Sequence, residues 1–171
     1  MKNVFGIIAL VVIIIFSSIY FSKDDREKVL ESFESEKKAS LLFFSEDSFD
    51  MNLKSTAFEE VENGTILIGE DWSKKDKSVS IVYMFNDKED ILIPEEELDV
   101  VDNVTVKGQR GFYIKINPEE YGAKEPGTYE EIHFSLNGVY YKVGYYQNGE
   151  EYVPVGKDFL VEMIDTHMTN L

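Results

Sequence analysis

Apolar and polar residues alternate along SVSIVYMF (Ser78 to Phe85), which puts Val79, Ile81, Tyr83 and Phe85 on one face of a strand. Asn86-Asp87 then reads as a turn into a second short strand, DILI (Asp90 to Ile93), stopped by Pro94. TILIG (Thr65 to Gly69) is a β-branched run after the turn-like Asn63-Gly64. NVTVKGQRGFYIKI predicts another hairpin, with Val104 and Val106 on one arm, a turn from Gly108 to Gly111, and Phe112, Ile114 and Ile116 facing inward on the other. Residues 45–62 are mixed and acidic and carry no clear period.

The firmest register comes from IHFSLNGVYYKVGYYQNGEEY (residues 132–152). A two-residue Asn137-Gly138 loop pairs Leu136 with Val139, Phe134 with Tyr141 and Ile132 with Val143 on an apolar face. The same loop pairs Ser135 with Tyr140 and His133 with Lys142 on the other face. A further Asn148-Gly149 turn would extend the meander, setting Tyr145 opposite Tyr152 and Tyr146 opposite Glu151. The tail changes to a helical period, with Phe159, Leu160, Met163, Ile164 and His167 on one stripe and Gly156 and Asp158 as entry signals. The expected fold is α+β: a curved antiparallel meander with a C-terminal helix packed on it.

At the other end of the chain, Val4 to Phe21 is a run of eighteen residues without a charge. At about 1.5 Å per residue it spans roughly 27 Å, close to the hydrocarbon thickness of a bilayer. Its length and bulky end, Ser17-Ser18-Ile19-Tyr20-Phe21-Ser22, suit a retained anchor better than a cleaved leader, whose apolar core is usually about 7–15 residues. The division expected is residues 1–22 as a transmembrane anchor, 23–44 as a charged stalk with a helix from about Asp24 to Ala39, and 45–171 as the folded domain. The short basic N-terminus reads like an export signal and places that domain outside the cytoplasm, although counting Lys and Arg alone does not put it there.

The net charge is −16, and Lys2 is the only charged side chain before residue 23, so the remainder carries −17. Such a domain repels nucleic acid and an anionic lipid surface, and suits protein partners, cationic envelope polymers, divalent cations or neutral ligands. The absence of cysteine excludes disulfides, thiolate nucleophiles and Cys-based metal sites.

His133 and His167 are each isolated in sequence and read as structural, and no nucleotide-binding glycine loop or nucleophile elbow is present. PEEELDVVD (Pro94 to Asp102) has five carboxylates in nine residues but lacks a calcium-loop spacing, so no metal site and no cofactor are assigned. Carboxylates are so abundant that a pair suited to acid–base work carries little weight. Tyr141, Tyr145 and Tyr152 fall on the core face. Tyr113, Tyr140 and Tyr146 point outward and form the candidate site, an aromatic patch for a ligand or protein partner.

Three stretches resemble a family of uncharacterised extracytoplasmic β-rich domains found in single-span membrane proteins of Gram-positive bacteria, often beside anti-sigma-factor modules. They are VTVKGQRGFYIKI (Val104 to Ile116), IHFSLNGVYYKV (Ile132 to Val143) and KDFLVEMIDTHM (Lys157 to Met168). The resemblance covers about residues 61–171 and is structural; His133-Phe134 stands where that family tends to show Trp. It implies a sheet with a helix and no transferable site residue. The functional expectation is a membrane-anchored, non-enzymatic domain that binds a protein or envelope component in a sensing or accessory role. A carrier or sensor of a lipid-like ligand between sheet and helix is the second reading, and a carboxylate-based hydrolase the third.

Overall fold

A computed structural model describes residues 25–31, 34–45, 49–75, 77–93, 102–116, 127–148 and 154–170. Its centre is an antiparallel sheet of seven strands: β2 (Asn52–Glu60), β3 (Ile66–Lys74), β4 (Lys77–Phe85), β5 (Asp102–Val106), β6 (Gln109–Ile116), β7 (Gly127–Leu136) and β8 (Val139–Asn148). Their order across the sheet is β2-β3-β4-β8-β7-β6-β5. Two meanders, β2 to β4 and β5 to β8, are thus joined by pairing β4 with β8. The fold is α+β, mostly antiparallel sheet with one C-terminal helix, α2 (Lys157–His167).

The β7–β8 hairpin has the register its sequence predicts in every pair, from Leu136 with Val139 to Ile132 with Val143. Asn137 and Gly138 take positive φ, 53° and 73°, the conformation that matches a two-residue turn to the twist of its strands. Because β8 has β7 on one edge and β4 on the other, Tyr145 lies between Val79 and Glu130 and cannot pair with Tyr152. The same pairing overturns the expected strand at 90–93. Both edges of β4 are taken, so Ile91 and Ile93 lie in a loop, half-buried against Leu67, Val82, Met84 and Tyr140.

One strand faces the other way from expectation. The turn between β5 and β6 is Lys107-Gly108, with φ of 51° and 74°, and Val106 pairs with Gln109. This shorter loop sends Gly111 and Tyr113 to the inner face and Phe112 and Ile114 to the outer one, the reverse of the four-residue turn. Gly111 fits there because it lacks a side chain. A Cβ would lie 2.8 Å from the His133 carbonyl oxygen and 3.3 Å from the Cβ of Phe134.

Inner-face positions alternate down each strand: Ile66, Ile68 and Trp72; Val79, Ile81, Tyr83 and Phe85; Val139, Tyr141, Val143 and Tyr145. Helix α2 covers this face through Leu160, Met163 and Ile164. A small ladder, β1 (Leu42–Phe44) with β9 (Met168–Asn170), contributes Leu42, Phe43, Phe44 and Met168 to the same core. The Phe134 and Tyr141 rings stack at 4.7 Å, and Tyr83 meets Tyr141 edge-on at 5.7 Å.

The expected stalk is corrected in extent and role. Its helix, α1 (Asp25–Glu31), has seven residues, and Arg26, Val29 and Leu30 are buried in the domain. Arg26 with the apolar Val29 and Leu30, at i, i+3 and i+4 of a charged segment, therefore seats a helix on the core rather than lifting the core away. Leu41 to Phe44, placed before the domain by sequence, are among its most buried residues. Among the described residues no helix is long and apolar enough to cross a membrane; the uncharged run from Val4 to Phe21 lies outside them.

Candidate functional site

The three tyrosines do not form one exposed patch. Tyr113 is 8% exposed and belongs to the inner core, with its hydroxyl donating to Glu130. Tyr140, also 8% exposed, lies on the outer face among Leu67, Val82 and Met84. Tyr146 is half-buried on that outer face, opposite Ser78 and Tyr129. The inverted facing of β6 separates Tyr113 from the others, and the loop bearing Ile91 and Ile93 helps bury Tyr140.

In place of an aromatic platform, the outer face carries a buried polar seam. Cross-strand neighbours Ser55, Asp71, Ser80, Gly144 and Glu131 run in one row from β2 to β7. Glu131 receives the Lys142 ammonium at 2.7 Å and the Nε2–H of His133 at 2.6 Å, and the His133 Nδ1 and the Tyr140 hydroxyl are hydrogen-bonded at 2.6 Å. Burial pushes the Glu131 carboxyl up, but Lys142 and His133 outweigh it and hold the group at about 2. The Tyr129 hydroxyl reaches Ser80 at 3.0 Å across Gly144, where a Cβ would fall 2.0 Å from that hydroxyl. Both nitrogens of His133 and both oxygens of Glu131 are engaged within the seam. It ties strands together.

Two more carboxylates are buried on the inner face, and both fix connections. Glu130 accepts the backbone N–H groups of Val155 and Gly156 at 2.9 and 3.1 Å, which docks the entry to α2. Glu70 faces Arg26 of α1 at 2.7 Å and accepts the Trp72 indole N–H at 3.2 Å and the Tyr83 hydroxyl at 3.1 Å. Burial pushes the Glu70 carboxyl up and Arg26 opposes it. The guanidinium also lies over the Phe43 ring at 4.6 Å and donates to the Phe44 carbonyl at 3.3 Å. Such a pair adds little net stability, but losing one member strands the other in the core.

The inner face is open at one end. Its alternation stays buried down β3, through Ile66, Ile68, the paired Glu70 and Trp72, and then reaches exposed Lys74; on β4 it runs from Phe85 to Val79 and then reaches Lys77, which pairs with Lys74. Between this end of the β3–β4 hairpin, residues 49–51 and helix α2 lies a groove of about 660 Å³, a size common for small-molecule sites. Its apolar lining is Phe49, Met51, Tyr145, Phe159 and Met163, and Lys74, Lys75 and Lys77 line it beside Asp50, Glu162, Thr166 and His167. Phe159, in the first turn of α2, meets Tyr145 edge-on at 5.8 Å and is 46% exposed. The Phe49 ring packs edge-on against Trp72 at 5.4 Å, linking the groove to the core. Asp50 is ion-paired with Lys74, which holds its carboxyl below the usual range.

Sequence reasoning placed Phe159, Met163 and His167 on one helical stripe and Tyr145 on the core face, but did not bring them to a site. Their companions at 49–51 and 74–77 come from segments whose pairing is non-local. The usable signal was the lysine at each end of the β3–β4 turn, where apolar alternation stops. Elsewhere, Asp102 of the acidic segment is ion-paired with Lys157, and residues 94–101 lie outside the described residues. Among the described residues no cluster of three or more His, Asp or Glu is arranged to hold a metal ion.

Compared with family models, with curated proteins and with solved structures, the chain gives no match.

Proposed function

We propose that this chain is a membrane-tethered, non-enzymatic binding domain in a sensing or accessory role, with its ligand in the groove between α2 and the β3–β4 hairpin. The observation that carries this reading is the groove itself. It is an aromatic and methionine-lined opening in a face that is otherwise closely packed. Methionine and half-exposed aromatics suit an apolar ligand of adaptable shape. The uncharged run at Val4 to Phe21 supports the tether, and the resemblance of residues 104–168 to extracytoplasmic domains supports the outward orientation.

Trp72, the single tryptophan, provides the test because Phe49 joins it to the groove. The full chain in phosphatidylcholine vesicles is titrated with anilinonaphthalenesulfonate, and energy transfer from Trp72 to the dye is recorded. Saturable transfer that is lost in Phe159→Ser is expected. Transfer identical in the wild type and this variant would refute the reading.

A further inference from the structure

We propose that the groove takes a phospholipid bearing an anionic headgroup, drawn from the bilayer to which the chain is tethered. This rests on the groove as the binding site and goes on to name the occupant. The first argument is charge. In a chain of net charge −16, Lys74, Lys75 and Lys77 fall within four consecutive positions, with Asp76 as the other, at the closed end of the β3–β4 hairpin, and the three lysines line the groove. Lys75 holds φ of 58°, a left-handed conformation that costs a residue with a side chain and that glycine or asparagine adopts more readily. All three lysines are exposed at the edge of an apolar lining; Lys74 is ion-paired there with Asp50, and Lys75 and Lys77 add positive charge beside Glu162. That pairing of a cationic edge with an aliphatic and aromatic interior complements an amphiphile with a phosphate at one end and an acyl chain behind it.

The second argument is reach. Only Ser22, Lys23 and Asp24 separate the uncharged run from α1, and three residues extend no more than about 11 Å. Helix α1 cannot swing away freely, since Arg26 is fixed to Glu70 and to the Phe44 carbonyl inside the domain. The same Arg26 lies 4.6 Å from the Phe43 ring and 5.8 Å from Trp72, and Trp72 contacts Phe49 of the groove. The start of α1 therefore lies two side chains from the groove, and a tether of this length would bring both to the bilayer surface together. The net negative charge of the domain opposes a flat approach to anionic lipid, which leaves the lysine-lined end as the favourable face to present.

The test uses the full chain in vesicles whose phospholipids carry brominated acyl chains, either phosphatidylglycerol or phosphatidylcholine, with Trp72 emission as the readout. Bromine quenches only at short range, and Trp72 is fully buried, so a chain must enter the groove to reach it. Quenching by brominated phosphatidylglycerol is expected, with little by phosphatidylcholine, and its loss in the Lys74→Gln, Lys75→Gln, Lys77→Gln triple variant. Equal quenching by both lipids would overturn the headgroup assignment. Quenching by neither, with dye transfer still sensitive to Phe159→Ser, would overturn the lipid as occupant and leave groove binding standing. Absence of both signals would overturn the groove as a site. Far-ultraviolet circular dichroism of the triple variant checks the fold.

Discussion

The middle of the inner face and its hairpin end are made from the same strands, yet one is filled and the other open. In the middle, Tyr83, Phe134 and Tyr141 are fully buried beneath α2 and the β1–β9 ladder, ring against ring. At the end, Lys74 and Lys77 lie beside a groove flanked by α2 from Phe159 to His167, with Phe159 half in water. The difference shows what the alternation of a strand can and cannot specify. It chooses the face; the elements that cross that face decide whether it becomes core or site.

Substitutions in the two regions should therefore separate stability from binding. Phe134→Ala removes a stacked, fully buried ring and is expected to cost about 4 kcal/mol. Urea unfolding measures it, and a cost below about 1 kcal/mol would mean that the middle is not packed as described. Arg26→Ala leaves Glu70 buried without its cation and should cost about 3 kcal/mol, although the site lies on a short helix at the edge of the domain. Replacing both, Arg26→Met with Glu70→Leu, should recover most of that loss, which distinguishes an uncompensated charge from lost packing.

The outer seam is a control for the comparison, being polar yet closed. Glu131 is held at about 2, below its ordinary 4.5, so its contribution to stability is complete above about pH 4.5 and is lost as pH falls through 2. Lys142→Gln lets burial raise that carboxyl, so the acid-unfolding midpoint moves to higher pH and stability at neutral pH falls by about 2 kcal/mol. An unchanged midpoint in acid-titration circular dichroism would contradict the pairing. The smallest expected stability effect is at the open end: Phe159→Ser should change stability by less than about 1 kcal/mol while removing most dye binding.

Local chemistry made parts of this fold legible in sequence. The Asn137-Gly138 turn and the alternation on either side set the β7–β8 hairpin in full, and the period of residues 159–167 placed α2. In the β5–β6 hairpin two glycines lie close together, and their spacing alone points to the wrong one as the end of the turn. Gly108 makes the turn, whereas Gly111 is small because the His133 carbonyl and Phe134 leave no room, a contact that only the folded sheet contains. The error inverted β6 and assembled a tyrosine patch that does not exist. The pairing of β4 with β8 joins residues more than fifty positions apart, so neither the loop at 90–93 nor the groove beside Tyr145 was visible in any local pattern.

The most direct measurement of the central claim is the methyl spectrum of selectively labelled methionines during titration with anilinonaphthalenesulfonate. Met51 and Met163 line the groove, Met84 sits on the outer face and Met168 in the packed inner core. If the open end is the binding site, the methyl signals of Met51 and Met163 shift together and saturate while those of Met84 and Met168 stay in place. Shifts at Met84, or no saturable shift at Met51 and Met163, would contradict it.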